Sequence, residues 1–235
     1  MSNYKRVMLK LSGEALSGDR GFGFSKDIVL EIAKQVKVLI DNNIEVAIVI
    51  GGGNFVRGKS MVGLDRSKMD QVGMLATIMN AIYVSEIFRE LSIDTEVMTP
   101  FICDGITTRY SKDLANKAFE NKKVVFFAGG TGHPYFSTDT ACVLRAIEIN
   151  ADMIFVAKTI DGVYDSDPKE NPNAKKYDKI SMQQVYKDEL KVLDLTATAM
   201  CLENKMPLFV FKLNEINSII NAVNGEISGT YVTIW

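Results

Sequence analysis

The chain is poor in histidine and cysteine, and this scarcity excludes several kinds of active site. Of its 235 residues, one is histidine and three are cysteine. Cys103, Cys142 and Cys201 are far apart and have no CxxC spacing, so the sequence predicts neither a disulfide framework nor a zinc site. Any Ser-His-Asp triad or His-rich metal site would depend on His133 alone. Most hydrolase mechanisms are therefore disfavoured.

The chain also lacks a charge excess of one sign and a long apolar run. Its 27 Lys and Arg against 29 Asp and Glu give a formal net charge of −2, whereas nucleic-acid binders usually carry a basic excess. No apolar run approaches the roughly 20 residues that span a membrane. Charges in the first segment, MSNYKRVMLKLSGEA, interrupt the apolar region that a secretory signal needs. We expect a cytoplasmic protein that binds neither nucleic acid nor a membrane.

Hydrophobic patterning predicts strands that alternate with helices. The apolar runs predict strands at 7–11, 45–50, 95–98, 124–128, 153–157, 208–211 and 230–234. Helical periodicity predicts a helix capped by Ser25, then helices at 67–91, 112–121, 141–150, 181–190, 197–205 and 214–223. The polar segment 161–179 predicts a surface loop or a small excursion from the sheet. The alternation indicates an α/β fold with a doubly wound, mostly parallel sheet, forming one domain over residues 1–235.

Three of the predicted strands run into glycine-bearing turns. They are KLSG at 10–13, GGGN at 51–54 and GGTG at 129–132. Ligands of open α/β sheets bind beyond the carboxyl ends of the strands, and glycine lets backbone N–H groups approach an anion. A tight turn also uses glycine for steric reasons alone. Three such turns, with Lys10 and Arg57 nearby, favour a site for a nucleotide or another phosphorylated compound.

Two lysines compete for a role at the phosphate. Segment 53–60 matches the Walker A pattern GxxxxGK[ST], which would place Lys59 on the phosphates and Ser60 on Mg²⁺. A P-loop lysine begins a helix, but Gly63 interrupts any helical period there. Lys10 stands in an apolar strand, where burial is costly unless an anion compensates; the alternative is an edge strand whose ammonium reaches water. We favour Lys10.

Three aspartates are candidates to accompany that lysine. Asp139 follows a small polar loop just after a buried strand, and Asp194 has apolar neighbours. Asp194 either caps the helix that follows it or orients a charged group. Asp70 falls on the long helix, where a solvated face is the alternative. Such carboxylates orient cationic side chains or hold Mg²⁺, often through water.

Together these segments resemble a known family. KLSGEAL at 10–16, GGGNFVRG at 51–58, GTGHPYFSTD at 130–139, DGVYDSDP at 161–168 and KVLDLTA at 191–197 are similar to the motifs of bacterial UMP kinases, in order and nearly end to end. Those enzymes belong to the amino-acid-kinase superfamily. The resemblance implies a three-layer αβα sandwich that transfers the γ-phosphoryl group of ATP to UMP in pyrimidine nucleotide biosynthesis. Mg²⁺ would be carried by ATP, with no direct protein ligand.

Carried over by position, the resemblance assigns a role to each matching residue. The catalytic residues would be Lys10, Arg57, Asp139 and Asp194. ATP would bind at Lys10, Leu11, Ser12, Gly13, Gly53, Arg57, Lys158, Tyr164 and Asp167. UMP would bind at Gly52, Asp70, Thr131, Gly132, His133, Pro134, Tyr135, Phe136, Ser137 and Thr138. UMP would thus occupy mainly the amino-terminal part and ATP mainly the carboxyl-terminal part.

The resemblance also implies assembly and regulation. The family is typically a homohexamer, activated by GTP and inhibited by UTP. The stretch that matches the segment linked to GTP activation is Arg20, Gly21, Phe22 and Gly23. His133 departs from the family pattern, which usually has Asn there, so a side-chain contact at that position is not carried over. Either this histidine makes UMP affinity depend on pH, or it is a loop residue with no part in the reaction.

The implied reaction needs no general base, which suits a chain with one histidine. A phosphate oxygen of UMP is already ionised at neutral pH, and what remains is to align two anions and neutralise the moving charge. Two alternatives stay open. A related enzyme of the same fold would phosphorylate a carboxylate or carbamate, and a nucleotide-binding regulator or oxyanion-storage protein would show no turnover.

Overall fold

The computed structural model describes residues 4–56 and 63–234 and contains one large sheet and one small hairpin. The strands are β1 Arg6–Leu11, β2 Glu45–Ile50, β3 Thr95–Thr99, β4 Thr108–Arg109, β5 Val124–Phe127, β6 Met153–Lys158, β7 Val163–Tyr164, β8 Lys176–Tyr177, β9 Lys179–Ser181, β10 Leu208–Lys212 and β11 Gly229–Thr233. The α-helices are α1 Gly13–Ser17, α2 Lys26–Asp41, α3 Arg66–Glu90, α4 Lys112–Glu120, α5 Thr138–Glu148, α6 Met182–Lys187, α7 Leu195–Glu203 and α8 Ser218–Asn224.

The large sheet has nine strands in the order β4-β3-β5-β2-β1-β6-β10-β11-β9. Neighbouring strands from β4 to β10 are parallel. Strand β11 is antiparallel to β10, and β9 is parallel to β11. Strand β1 therefore lies in the interior of the sheet, paired with β2 on one side and β6 on the other. The carboxyl ends of β5, β2, β1 and β6 lie side by side at one edge, where ligands of such sheets bind.

Each face of the sheet is covered by helices, which makes three layers. Val7, Leu9 and Leu11 pack in a core with residues of α2, α3 and α8. Met8 packs in the opposite core with residues of α4, α5, α6 and α7. Because side chains alternate along a strand, Lys10 shares the face of Met8 and points toward α5. The α/β class and the mostly parallel sheet expected from the sequence are confirmed.

The elements differ from the sequence expectations mainly at their ends. Helix α5 starts at Thr138, three residues before the expected start, because the hydroxyl of Ser137 accepts hydrogen bonds from the first turn. Ser25 does precede α2, but its side chain makes no capping hydrogen bond. The expected loop at 161–179 contains the β7–β8 hairpin. Helix α1 and the short strands β4 and β9 carry too few residues to show a period.

Helix α3 corrects the expectation about membrane-length segments. It has 25 residues, and an 18-residue window of it reaches a mean hydropathy of 1.2, which is long and apolar enough to cross a membrane. More than half of that window, 56%, is buried inside the protein. The apolar residues of α3 thus serve largely the core that they share with α2 and β2.

Two glycine substitutions should change stability in opposite directions. A Cβ at Gly229 would clash with the ring of Phe209 and lie 2.6 Å from the carbonyl oxygen of Val210, whereas nothing lies within 4 Å of one at Gly73, inside α3. We expect Gly229→Ala to lower the free energy of unfolding by about 1–3 kcal/mol through overpacking. Gly73→Ala should raise it by about 0.5–1 kcal/mol. Thermal unfolding of both variants measures these changes, and equal shifts in melting temperature would contradict the close contact between β10 and β11 at Gly229.

Candidate active site

A cavity of about 420 Å³ opens at the carboxyl ends of β1, β2 and β5. Eleven of the residues assigned by sequence line it: Lys10, Ser12, Gly13, Gly52, Gly53, Asp70, Phe136, Ser137, Thr138, Asp139 and Asp194. These residues come from segments that are far apart in sequence. The sheet order brings them together because the strands that precede three of those segments, β5, β2 and β1, are neighbours.

Lys10 forms an ion pair with Asp139 at the centre of this cavity. Only 13% of the lysine side chain and 22% of the aspartate side chain are exposed. Asp139 lies in the first turn of α5, the helix that Lys10 faces. Strand β1 is paired on both sides, so the edge-strand alternative for Lys10 is wrong. A largely buried ammonium beside one carboxylate can bind a phosphate that enters the cavity.

Asp194 joins two helix starts beside that pair. It is the N-cap of α7, accepting a hydrogen bond from the N–H of Ala197 at 2.9 Å, so the capping interpretation is confirmed. Its carboxylate also accepts hydrogen bonds from the hydroxyls of Ser137 and Thr140. Burial alone would raise the pKa of Asp194, but the hydrogen bonds, that from Ser137 foremost, hold it below its ordinary value. Asp194 is therefore ionised at neutral pH.

The turns after β1 and β2 pack backbone against backbone. A Cβ at Gly13 would lie 2.6 Å from the amide oxygen of Asn54 and 2.8 Å from the backbone nitrogen of Gly53. Ser12 caps α1, accepting a hydrogen bond from Ala15 at 3.2 Å. The steric reason for glycine therefore applies at Gly13, and it leaves the two turns close enough to line the same cavity.

The loop between β5 and α5 is fastened to α3 through Asp70. The N–H of Tyr135 donates to the Asp70 carboxylate at 2.8 Å, and the guanidinium of Arg66 lies 4.7 Å from the centre of the Tyr135 ring. Asp70 is thus a cavity residue rather than one on a purely solvated face. Five residues of the loop that were assigned to UMP lie outside the described wall of the cavity: Thr131, Gly132, His133, Pro134 and Tyr135.

A second cavity, of about 270 Å³, is lined by Lys158, Tyr164 and Asp167. The ammonium of Lys158 donates hydrogen bonds to the carbonyl oxygens of Lys191 at 2.9 Å and Val192 at 2.6 Å. Burial, followed by the charge of Lys10, lowers the pKa of Lys158 to about 8, although Asp139 opposes this. The hydroxyl of Tyr164 donates to Asp161 at 2.7 Å, and this hydrogen bond raises the pKa of Tyr164.

The remaining assigned residues fall into three groups. Arg57 lies outside the described residues, as do Lys59 and Ser60 of the Walker A match. Leu11 is fully buried in the core. The segment Arg20, Gly21, Phe22 and Gly23 lies outside both cavity walls. It contacts the turn after β2 through Gly23, whose carbonyl oxygen accepts a hydrogen bond from the Asn54 amide at 2.9 Å, and through Phe22, whose ring packs edge-to-face against Phe55.

Sequence reasoning missed three buried polar residues around the site. Thr140 binds Asp194, and two residues of α3, Thr77 and Asn80, bind the backbone of the glycine turns. Their partners are between 29 and 54 positions away in the chain. The available signal was a polar side chain on the otherwise apolar face of a helix. That signal marks a buried partner but does not say which one.

The described residues contain no group of three His, Cys, Asp or Glu side chains that could hold a metal ion. The carboxylates nearest the cavity are already engaged, since Asp139 pairs with Lys10 and Asp194 accepts hydrogen bonds. This donor set fits a cation that arrives with most of its ligands, such as Mg²⁺ bound to phosphate oxygens and water.

Comparison with known proteins gives consistent matches over nearly the whole chain. The amino acid kinase family model matches residues 5–212. A uridylate kinase of Rickettsia bellii (strain RML369-C) is 47% identical over 233 residues, covering 98% of this chain and 97% of the relative. The crystal structure of UMP kinase from Bacillus anthracis has a TM-score of 0.94 at 36% identity, covering 98% of this chain and 96% of the other.

The crystal structure of UMP kinase from Ureaplasma parvum is similarly close. Its TM-score is 0.93 at 35% identity, and the match covers 97% of this chain and 98% of the other. This chain therefore belongs to the amino acid kinase family and, within it, to the uridylate kinases.

Proposed function

We propose that this protein transfers the γ-phosphoryl group of ATP to UMP, giving UDP and ADP. The observation that carries the proposal is the Lys10–Asp139 ion pair at the meeting point of the glycine turns, in a uridylate kinase chain. An ammonium held there neutralises negative charge as the phosphoryl group moves between two anions. A UMP phosphate oxygen is the nucleophile, and its ionised state at neutral pH makes a general base unnecessary.

The two cavities suggest how the nucleotides are arranged. ATP would place its adenosine in the smaller cavity with Lys158, Tyr164 and Asp167. UMP would occupy the larger one, with Asp70 and the loop at 136–138 around it. Lys10 connects the two, since it lines the larger cavity and its charge acts on Lys158. On this arrangement residues 1–235 act as one kinase domain, and the phosphate groups of ATP and UMP meet above β1.

The chain's own residues would do three things in the reaction. Lys10 binds the transferred phosphate, and Asp139 orients the ammonium through their ion pair. Asp194 holds Ser137 and Thr140, and so fixes the start of α5 that carries Asp139. Mg²⁺ bound to ATP would supply further neutralisation of phosphate charge, and Asp139 and Asp194 are the carboxylates that could reach its water ligands. Arg57 remains our candidate for a second phosphate-binding cation.

We also propose that the protein is a cytoplasmic homohexamer regulated by GTP and UTP. An exposed apolar stripe on α3 supports association with further copies; it consists of Val72, Leu75, Met79 and Ile82. Arg20 to Gly23 is the proposed GTP-responsive segment, and the bonds between Gly23 and Asn54 connect it to the turn after β2. The effect of GTP would then reach the phosphates through that turn.

Replacement of the two competing lysines distinguishes this mechanism from a P-loop mechanism. We expect Lys10→Ala to lower kcat by about 100-fold or more, as when one electrostatic donor to a transition state is removed. Lys59→Ala should leave kcat nearly unchanged. The measurement is steady-state ADP release from ATP with UMP, in a coupled assay.

The same assay tests the alternative functions. Carboxylate and carbamate acceptors, CMP and dUMP should be poorer acceptors than UMP. A larger loss in the Lys59 variant than in the Lys10 variant would restore the P-loop, and UTP binding without any ADP release from ATP and UMP would favour a regulator.

The lowered pKa of Lys158 predicts a pH dependence on the alkaline side. Because its pKa is about 8, the ammonium becomes neutral as the pH rises through that value and no longer contributes a positive charge to the proposed ATP site. We expect kcat/KM for ATP to be level below pH 8 and to fall about tenfold per pH unit above it, since kcat/KM reports the free enzyme. Lys158→Arg keeps its charge throughout and should abolish the fall. Identical profiles for the two proteins would exclude Lys158 as its origin.

A further inference from the structure

Two buried polar residues of α3 each bind a different glycine turn. The hydroxyl of Thr77 accepts a hydrogen bond from the N–H of Gly129 at 2.8 Å. The side-chain amide of Asn80 donates to the carbonyl oxygen of Gly51 at 2.7 Å. Thr77 is 5% exposed and Asn80 is fully buried. Neither bond contributes to the helix itself, so each serves the turn that it reaches.

The contact at Asn80 is reinforced by a second amide. Asn54, 1% exposed, donates to the oxygen of Asn80 at 2.9 Å and accepts from its nitrogen at 2.8 Å. Gly52, which follows Gly51 in the turn, lies so close to α3 that a Cβ there would be 3.1 Å from the side chain of Ala76. The turn after β2 is thus held to α3 at both of its ends.

The contact at Thr77 has a fixed direction. The Thr77 hydroxyl donates to the carbonyl oxygen of Met74 at 2.7 Å, which leaves its lone pairs facing the N–H of Gly129. Gly129 and Gly130 both have positive φ, 79° and 62°, so the chain turns sharply immediately after the hydrogen bond to Thr77. The hydrogen bond from Gly129 to Thr77 therefore fixes the position of the first N–H of the turn, and with it the path of the residues that follow.

We propose that Thr77 and Asn80 are positioning residues that set the distance between the two glycine turns, and hence between the donor and acceptor phosphates. The inference rests on the proposed UMP kinase function. Thr77 and Asn80 are three residues apart on a rigid helix, a rise of about 4.5 Å. Because phosphoryl transfer depends on in-line alignment, a displacement of about 1 Å can cost on the order of 100-fold in rate.

The test uses two Thr77 variants and a matched control. Thr77→Val keeps the shape of the side chain and removes the hydroxyl, whereas Thr77→Ser retains the hydroxyl and removes only the methyl group. Ser85→Ala is the control, since Ser85 is equally buried in α3 but bonds only to Ile82 of its own helix. For each folded protein, kcat, the KM values for ATP and UMP, and the melting temperature are measured well below unfolding.

We expect Thr77→Val to lower kcat by about 10- to 100-fold while both KM values stay within about threefold. Thr77→Ser should recover most of kcat, and Ser85→Ala should match wild type in kcat despite its lost hydrogen bond. Asn80→Ala should show the same selective loss of kcat, and it decides the matter if Thr77→Val does not fold. Rescue by serine separates positioning from stability, because a merely structural role would lower the melting temperature without a selective change in kcat.

Three results would overturn the inference. These are unchanged kcat in Thr77→Val or, where that variant does not fold, in Asn80→Ala; an equal loss of kcat in Ser85→Ala; or no recovery in Thr77→Ser. Failure of the proposed function looks different, because the wild-type protein itself would then release no ADP from ATP and UMP, and the inference would fall with it.

Discussion

The site depends on one charge that is placed where an apolar residue would otherwise stand. Lys10 is the fifth residue of the interior strand β1, and its neighbours in that strand are core residues. An ammonium in such a position is costly unless a carboxylate and an anion compensate it. Asp139 provides the carboxylate, and in the proposed function a nucleotide phosphate in the cavity beside it would provide the anion. Under the proposed function, burial of Lys10 and binding of phosphate are thus the same electrostatic requirement.

The surrounding structure supports that requirement in successive layers. Alternation along β1 directs Lys10 to the face covered by α5. Ser137 caps α5, so the helix begins at Thr138 and Asp139 lies opposite the ammonium. Asp194, the cap of α7, then holds Ser137 in place. Each step is a local interaction, but together they connect three segments of the chain to one nitrogen atom.

Much of the fold follows from the sequence, because buried parallel strands appear as short apolar runs between glycine turns. The expected strands at 45–50 and 124–128 agree with β2 and β5 to within one residue. The start of α5 was missed because the loop residues before it carry no helical period, and the β7–β8 hairpin because each strand has two residues. Short elements are determined by contacts with distant segments, which periodicity does not contain.

The sequence was similarly informative for part of the site. Lys10 and Asp194 could be selected because a charged residue among apolar neighbours needs a partner, and Asp139 because it follows a small polar loop just after a buried strand. Thr77 and Asn80 could not be connected to Gly129 and Gly51, since uncharged polar residues are common in helices and only the folded chain shows what they bind.

Helix α3 has little surface left without a task. One side carries Asp70 and Thr77 in the cavity wall and Asn80 against the turn after β2. Another side contributes Ile78 and Phe88 to the core, and a third exposes the apolar stripe. An ordinary surface helix spends about half of its circumference on solvent, where most replacements are harmless. Evolution therefore has fewer neutral paths through α3 than through α4, whose exposed side carries mostly charged residues.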